Sequence, residues 1–190
     1  MRATGNSSIG KASRAVLLAG AAAILATALV AGASASARHR VPRAAPDSPV
    51  ADGVLVLLNA ERTKRGLAPL RRNAMLDEAA SWQSHDMVLH RYFNHRRPGG
   101  PGLVQRIRRS GYLRGAGSWT VGENIAWAEA QLASPAHLVA DWMASRGHRE
   151  NILDPSFRNI GIGLVPGEPN RGSGLPALTI TTDFGVRSMR

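Results

Sequence analysis

The chain has 190 residues, with 24 Lys and Arg against 13 Asp and Glu, a formal charge of +11 and no Cys. That length suits one ordinary domain, and an apolar fraction of 44% excludes wholesale disorder. Without Cys there is no disulfide scaffold, no thiol nucleophile and no Cys-based zinc or iron–sulfur site.

The basic excess is almost entirely arginine, since Lys11 and Lys64 are the only lysines. Arg2, Lys11 and Arg14 precede a run from Ala15 to Ala33 that is apolar apart from Thr27, and Ala35-Ser36-Ala37 fits an A-x-A cleavage pattern. Residues 1–37 therefore read as a signal peptide, with an uncleaved anchor as the alternative. Their removal takes away three positive charges and no negative one. An exported protein meets its acidic partners among wall polymers or lipid head groups rather than nucleic acid. Residues 38–49, rich in Pro, Ala and charge, read as a linker. Residues 50–187 form the one folded domain.

Ser48-Pro49 is a helix start, with Ser as N-cap and Pro at the first helical position. Val54, Leu55, Leu58 and Arg62 continue the helix, Gly66 ends it, and Leu67 to Leu70 form a turn. Asn73 caps a second helix whose first turn holds Asp77 and Glu78, where the dipole favours acids. Leu76, Ala80, Gln83 and Met87 share one stripe of it. Leu103 and Ile107 predict a third, short helix ending at Gly111. Ser134-Pro135 repeats the cap-then-proline start, and Leu138, Val139, Trp142 and Met143 make a buried face ending near Gly147.

Three stretches predict strands. In Thr120–Trp127, Val121, Ile125 and Trp127 share a face with Glu123. In Ile160–Leu164 the apolar side chains point one way and Gly161 and Gly163 the other, so the glycine face admits a close neighbour. In Leu178–Phe184, Leu178, Ile180, Thr182 and Phe184 alternate with Thr179, Thr181 and Asp183. Helices and strands interleave without a βαβ repeat, which predicts an α+β sandwich rather than a doubly wound sheet.

No phosphate-binding glycine loop, H-E-x-x-H or G-x-S-x-G elbow is present. His148-Arg149-Glu150 matches half of a zinc deaminase signature, but the required Cys pair does not exist. What remains is His95, Glu123 and His148, each in a polar context. Two imidazoles and a carboxylate could serve a divalent metal or general base work. Spacing alone leaves the alternative of surface histidines and a strand-end carboxylate. Glu123 stands out because it lies on an apolar strand face, and a buried carboxylate needs a partner. Trp82, Trp127 and Trp142 read as core. Arg106, Arg108, Arg109 and Arg114 read as a solvated face, with a patch for anionic polymer or lipid as the alternative.

Several strings in order resemble bacterial members of the CAP (SCP-like) superfamily. They are Leu58-Asn59-x-x-Arg62-x-x-x-Gly66-Leu67-x-Pro69-Leu70, Tyr92-Phe93-x-His95, Arg106-Ile107-x-x-x-Gly111-Tyr112 and Gly122-Glu123-Asn124-Ile125-Ala126. The most specific is Trp142-Met143-x-Ser145-x-Gly147-His148-Arg149-x-Asn151-Ile152-Leu153. Ile160-Gly161-Ile162-Gly163 and Thr182-Asp183-Phe184-Gly185 close the match, which covers roughly residues 50–185.

The resemblance implies a three-layer α-β-α sandwich with a central, mainly antiparallel sheet and a large open cleft. It implies that His95, His148 and Glu123 line the cleft and can hold a divalent metal such as zinc, with no organic cofactor. Asn124, Ser145 and Asn151 are the accompanying cleft positions. For the two asparagines the alternative is satisfaction of backbone groups. Ser145 stands where the fuller family pattern has a second Glu, which weakens a catalytic argument. Three functions then compete. The preferred one is a secreted, monomeric binding module for a small hydrophobic ligand or lipid, a cell-envelope fragment or a peptide, modulated by metal. The others are a metal-dependent hydrolase and an envelope protein associated with a membrane or wall surface through its basic face.

Overall fold

The computed structural model describes residues 3–4, 48–170, 172 and 174–189. The expected signal segment and linker lie outside the described residues, apart from Ala3–Thr4 and Ser48–Pro49.

Local signals set the helix starts. Helix α1 (Pro49–Thr63) begins with Pro at its first position after Ser48. Ala51, Val54, Leu58 and Arg62 are its buried stripe. After the two-residue strand β2 (Arg71–Arg72), Asn73 opens α2 (Ala74–His90), its side chain accepting from the amides of Met75 (3.0 Å) and Leu76 (3.3 Å). Helix α3 is Leu103–Arg109. Helix α4 (Pro135–Ala144) starts where Ser134 accepts from His137 N at 3.2 Å.

The sequence pattern carried α4 to about Gly147. Instead it stops at Ala144, Ser145 is extended, and a separate helix α5 (Arg146–Leu153) follows. The long strands are β3 (Ala116–Glu129), β4 (Asn159–Pro166) and β5 (Ala177–Met189), each longer than its sequence pattern. They pair antiparallel around β5, while β2 joins β4 in parallel. The short β1 (Ala3–Thr4) pairs in parallel with β3 at Val121 and Gly122. Sheet order is β1-β3-β5-β4-β2.

Helices cover both faces, giving an α+β sandwich of three layers. On one side α1, α4 and α5 pack Val54, Leu58, Leu138, Trp142 and Ile152 onto Ile160, Ile162, Ile180 and Phe184. On the other, Leu76, Ala79 and Ile107 from α2 and α3 meet Tyr112 and Val121. Trp142 is fully buried, as expected of a core residue, while Trp82 and Trp127 are half-buried.

Two features lock the layers. A Cβ on Gly161 would lie 2.0 Å from the Leu76 carbonyl carbon, and one on Gly163 would lie 2.1 Å from Ser81 N. The glycine face of β4 therefore receives the backbone of α2 itself. Ser84 Oγ adds hydrogen bonds to Gly163 O and Thr181 Oγ1. On the opposite face the fully buried Arg62 donates to the carbonyls of Ala68, Ile152, Asp154 and Phe157 at 2.7 to 3.3 Å. It thereby satisfies carbonyls at the C-terminal end of α5, where a cation is favoured.

Gly163→Ala should destabilise the protein by about 3 kcal/mol, because the added methyl meets helix backbone that cannot rotate away. Urea unfolding measures it; a loss below about 1 kcal/mol would show that α2 can lift off the sheet at little cost.

Candidate functional site

Glu123 lies at the middle of β3, 1% exposed, on the face covered by α2 and α3. Its Oε1 accepts from His95 Nδ1 at 2.8 Å, and its Oε2 accepts a short hydrogen bond from Arg106 Nη2. Burial by itself raises the Glu123 carboxyl; the Arg106 guanidinium and the His95 imidazole outweigh it and hold the group below the usual carboxylate range. The strand alternation that put Glu123 among apolar neighbours thus found a site with its partner, but the partner was misread. Arg106, assigned by sequence to a solvated face, is 2% exposed. Arg108, Arg109 and Arg114 are exposed as expected.

The loop that carries His95 is fixed at several points. Asp86 on α2 accepts from the Tyr92 hydroxyl (2.7 Å) and from Arg97 Nε (3.4 Å), and it contacts His90. Gln83 donates to Asn94 O at 2.8 Å. Arg106 Nη1 donates to the carbonyls of His95 (3.1 Å) and Pro101 (3.2 Å). Burial and the Asp86 contact push the Tyr92 hydroxyl up, so it stays a donor at every physiological pH. Gln83 and Asp86 look in sequence like interruptions of an apolar helix stripe. They are the loop's anchors.

His148 sits on α5, 5% exposed, and its Nε2 is buried without a hydrogen-bond partner among the described residues. Burial first, and then the charge of nearby His95, hold its imidazole below the ordinary histidine value. It is neutral at pH 7. Asn124 Nδ2 donates to His148 O at 3.1 Å, while Asn151 Nδ2 donates to Asn124 Oδ1 (2.9 Å) and Glu123 O (3.1 Å). The two asparagines are therefore buried and sew α5 to β3, which is the backbone-satisfying role. Ser145 is half-buried at the break between α4 and α5.

The three expected metal residues are not gathered as one shell. Among the described residues no group of three or more His, Asp or Glu side chains is arranged to hold a metal ion. Both oxygens of Glu123 are already engaged, so it stands behind His95 and orients that ring through the Nδ1 hydrogen bond. A surface hollow of about 350 Å³ is lined by Arg149, Glu150, Leu153, Asp154 and Pro155, and by none of these three residues.

Sequence reasoning also missed Asp183. It is fully buried on β5 directly opposite Glu123. Its carboxyl is pushed well up, first by burial and then by the Glu123 charge, with Arg106 opposing. The signal was present in the Thr181-Thr182-Asp183 alternation. It would have needed the knowledge that β5 is central and covered on both faces.

Replacing Arg106 with Met should cost about 3–5 kcal/mol, because it strands the Glu123 carboxylate in the interior. Arg109→Met, at an exposed site, should change urea unfolding by under about 0.5 kcal/mol. Asp183 has the opposite sign of effect. A carboxyl held above its unfolded value stabilises the fold most below about pH 3.9, and that contribution falls as pH rises toward the folded value. Asp183→Asn, which cannot ionise, should therefore gain thermal stability relative to wild type between pH 4 and 8. A deficit that grows with pH would show an ionised Asp183.

A family model described as CAP, cysteine-rich secretory protein family, matches residues 55–183. The chain is 40% identical over 114 residues to the uncharacterized protein YkwD of Bacillus subtilis (strain 168), covering 59% of this chain and 41% of that one. It is 32% identical over 111 residues to the uncharacterized membrane protein YlbC of the same organism, covering 58% and 30%. The chain thus spans less than half the length of these curated relatives. An extracellular protein containing a SCP domain from Bacillus anthracis str. Ames matches with TM-score 0.55 at 27% identity, over 70% of this chain and 39% of that chain. An outer surface protein of Borrelia burgdorferi matches in fold, with TM-score 0.55 at 18% identity over 73% and 92%. The family match runs from α1 to Asp183 on β5 and takes in His95, Glu123 and His148, and the chain belongs to the CAP, or cysteine-rich secretory protein, family.

Proposed function

We propose that this chain is an extracytoplasmic binding module in which the imidazoles of His95 and His148 hold a divalent metal ion, zinc first, that modulates a ligand site. The observation that carries this is the buried Nε2 of His148, which has no partner among the described residues. A buried polar nitrogen left unsatisfied calls for a ligand, and a neutral imidazole offers a lone pair suited to zinc. His95 supports the same reading, because its Nδ1 hydrogen bond to Glu123, itself held by Arg106, fixes the orientation of the ring. Bound there, the metal would supply Lewis acidity and a charged point for a ligand to coordinate. The ligand classes in view are a lipid, an envelope fragment or a peptide.

A hydrolase reading is weaker. A general base works best with a pKa near the working pH, whereas Glu123 is held low and both its oxygens accept hydrogen bonds. The export reading is supported by the basic-apolar N-terminal pattern and by the extracellular relative from Bacillus anthracis. No helix among the described residues is long and apolar enough to cross a membrane.

Calorimetric titration of zinc tests the proposal. Wild type should bind one ion per chain, and His95→Ala and His148→Ala should each abolish binding while remaining folded. Glu123→Gln should weaken it by about 10–100-fold, the usual effect of losing a group that orients a ligating imidazole. No binding by wild type, or unchanged binding by both histidine variants, would exclude the metal site.

A further inference from the structure

We propose that Asp183 is a positioning residue of this site: a neutral carboxylic acid that donates a hydrogen bond to Glu123 and so fixes the carboxylate that orients His95. It rests on the reading that His95 and Glu123 act as a pair. Asp183 faces Glu123 across the β3–β5 ladder, and directly opposed residues of antiparallel strands project to the same face. Its neighbour on the other side, across the β4–β5 ladder, is Gly161, which has no side chain to offer.

Both carboxyls are buried, and the charged groups facing them are Arg106 from α3 and, for Glu123, His95 from its loop. Tyr92 faces Arg106 in turn. The terminal nitrogens of Arg106 go to Glu123 and to the carbonyls of His95 and Pro101. Neither oxygen of Asp183 finds a donor among the described residues. An ionised carboxylate only accepts hydrogen bonds, so buried in this place it would be the most unfavourable form. A protonated Asp183 brings its own donor. Glu123 has lone pairs beyond the two engaged by His95 and Arg106, and it is the acceptor opposite.

Charge balance points the same way. Among the described residues Arg106 is the one fully buried cation facing the two carboxyls, and it is bonded to Glu123, so an ionised Asp183 would be a second buried anion beside it. With Asp183 protonated, Glu123 accepts from three directions. A carboxylate held by three donors cannot rotate, and the imidazole bonded to it keeps one tautomer and one orientation.

The test uses the full chain free of zinc, with Asp183→Asn, Asp183→Val and Asp183→Ala. Side-chain proton–nitrogen NMR correlations report the His95 tautomer, and calorimetry reports zinc affinity. Asparagine also donates, so Asp183→Asn should keep the Nδ1-protonated tautomer and a zinc affinity within threefold of wild type. Valine and alanine cannot donate. Those variants should show His95 exchanging between tautomers and a zinc affinity at least tenfold lower, with the asparagine variant as the rescue.

The alanine variant serves if valine does not fold. If neither folds, the Asn variant decides alone: a preserved His95 signature supports the proposal and a lost one overturns it. A folded Val or Ala variant with the wild-type His95 signature also overturns it. If wild type binds no zinc, the metal proposal fails while the metal-free NMR comparison still decides the role of Asp183.

Discussion

A carboxylate placed in the middle of a covered sheet must be matched by charge and by hydrogen bonds, or the fold does not close around it. Glu123 imposes that demand here. Arg106 meets it from α3, His95 meets it from the loop after α2, and neither could reach it unless both elements were held against the α2 face of β3. The same guanidinium also ties down the His95 and Pro101 carbonyls. Electrostatic compensation and loop placement are therefore one structural event. Asp183 adds a second carboxyl on the same face, and its position opposite Glu123 follows from ladder register.

Alpha5 supplies the other half of the arrangement by a different means. No ion pair joins its buried face to β3 among the described residues. The Asn124–Asn151 amide pair does so, bonding to backbone on both sides. Neutral amides set a position without adding charge, which leaves the neighbourhood of His148 apolar enough to keep its imidazole unprotonated. One histidine is thus placed by charge and the other by amides.

The legible parts of the fold were those governed by neighbours in sequence. Ser48-Pro49, Asn73 and Ser134-Pro135 each begin a helix because capping is a local transaction between a side chain and amides two or three residues on. The alternating glycines of β4 announced a close approach, and α2 makes it. Alpha5 escaped notice because its buried stripe, Gly147, His148, Asn151 and Ile152, has helical spacing but little apolar character. A helix that buries polar groups does not advertise itself through hydrophobicity. Arg106 and Asp183 were misread or missed for a related reason. Their partners lie far along the chain, and arginine clusters or a Thr-Asp step look solvent-facing until the covering element is known. The family motifs picked out His95, Glu123 and His148, but that Glu123 stands behind His95 is a matter of geometry.

The contact of the α2 backbone with Gly161 and Gly163 has a mechanical consequence. Where side chains separate two elements, rotamer changes let them slide or tilt. Here main chain abuts main chain, and that compliance is absent. The helix and strands β4 and β5 behave as one stiff plate. Any rearrangement falls to the parts fastened to the plate through side chains rather than main chain, the 91–102 loop and α5. These are the two elements that carry His95 and His148, so adjustment of the site would change the separation of the two imidazoles while leaving the scaffold beneath them unmoved.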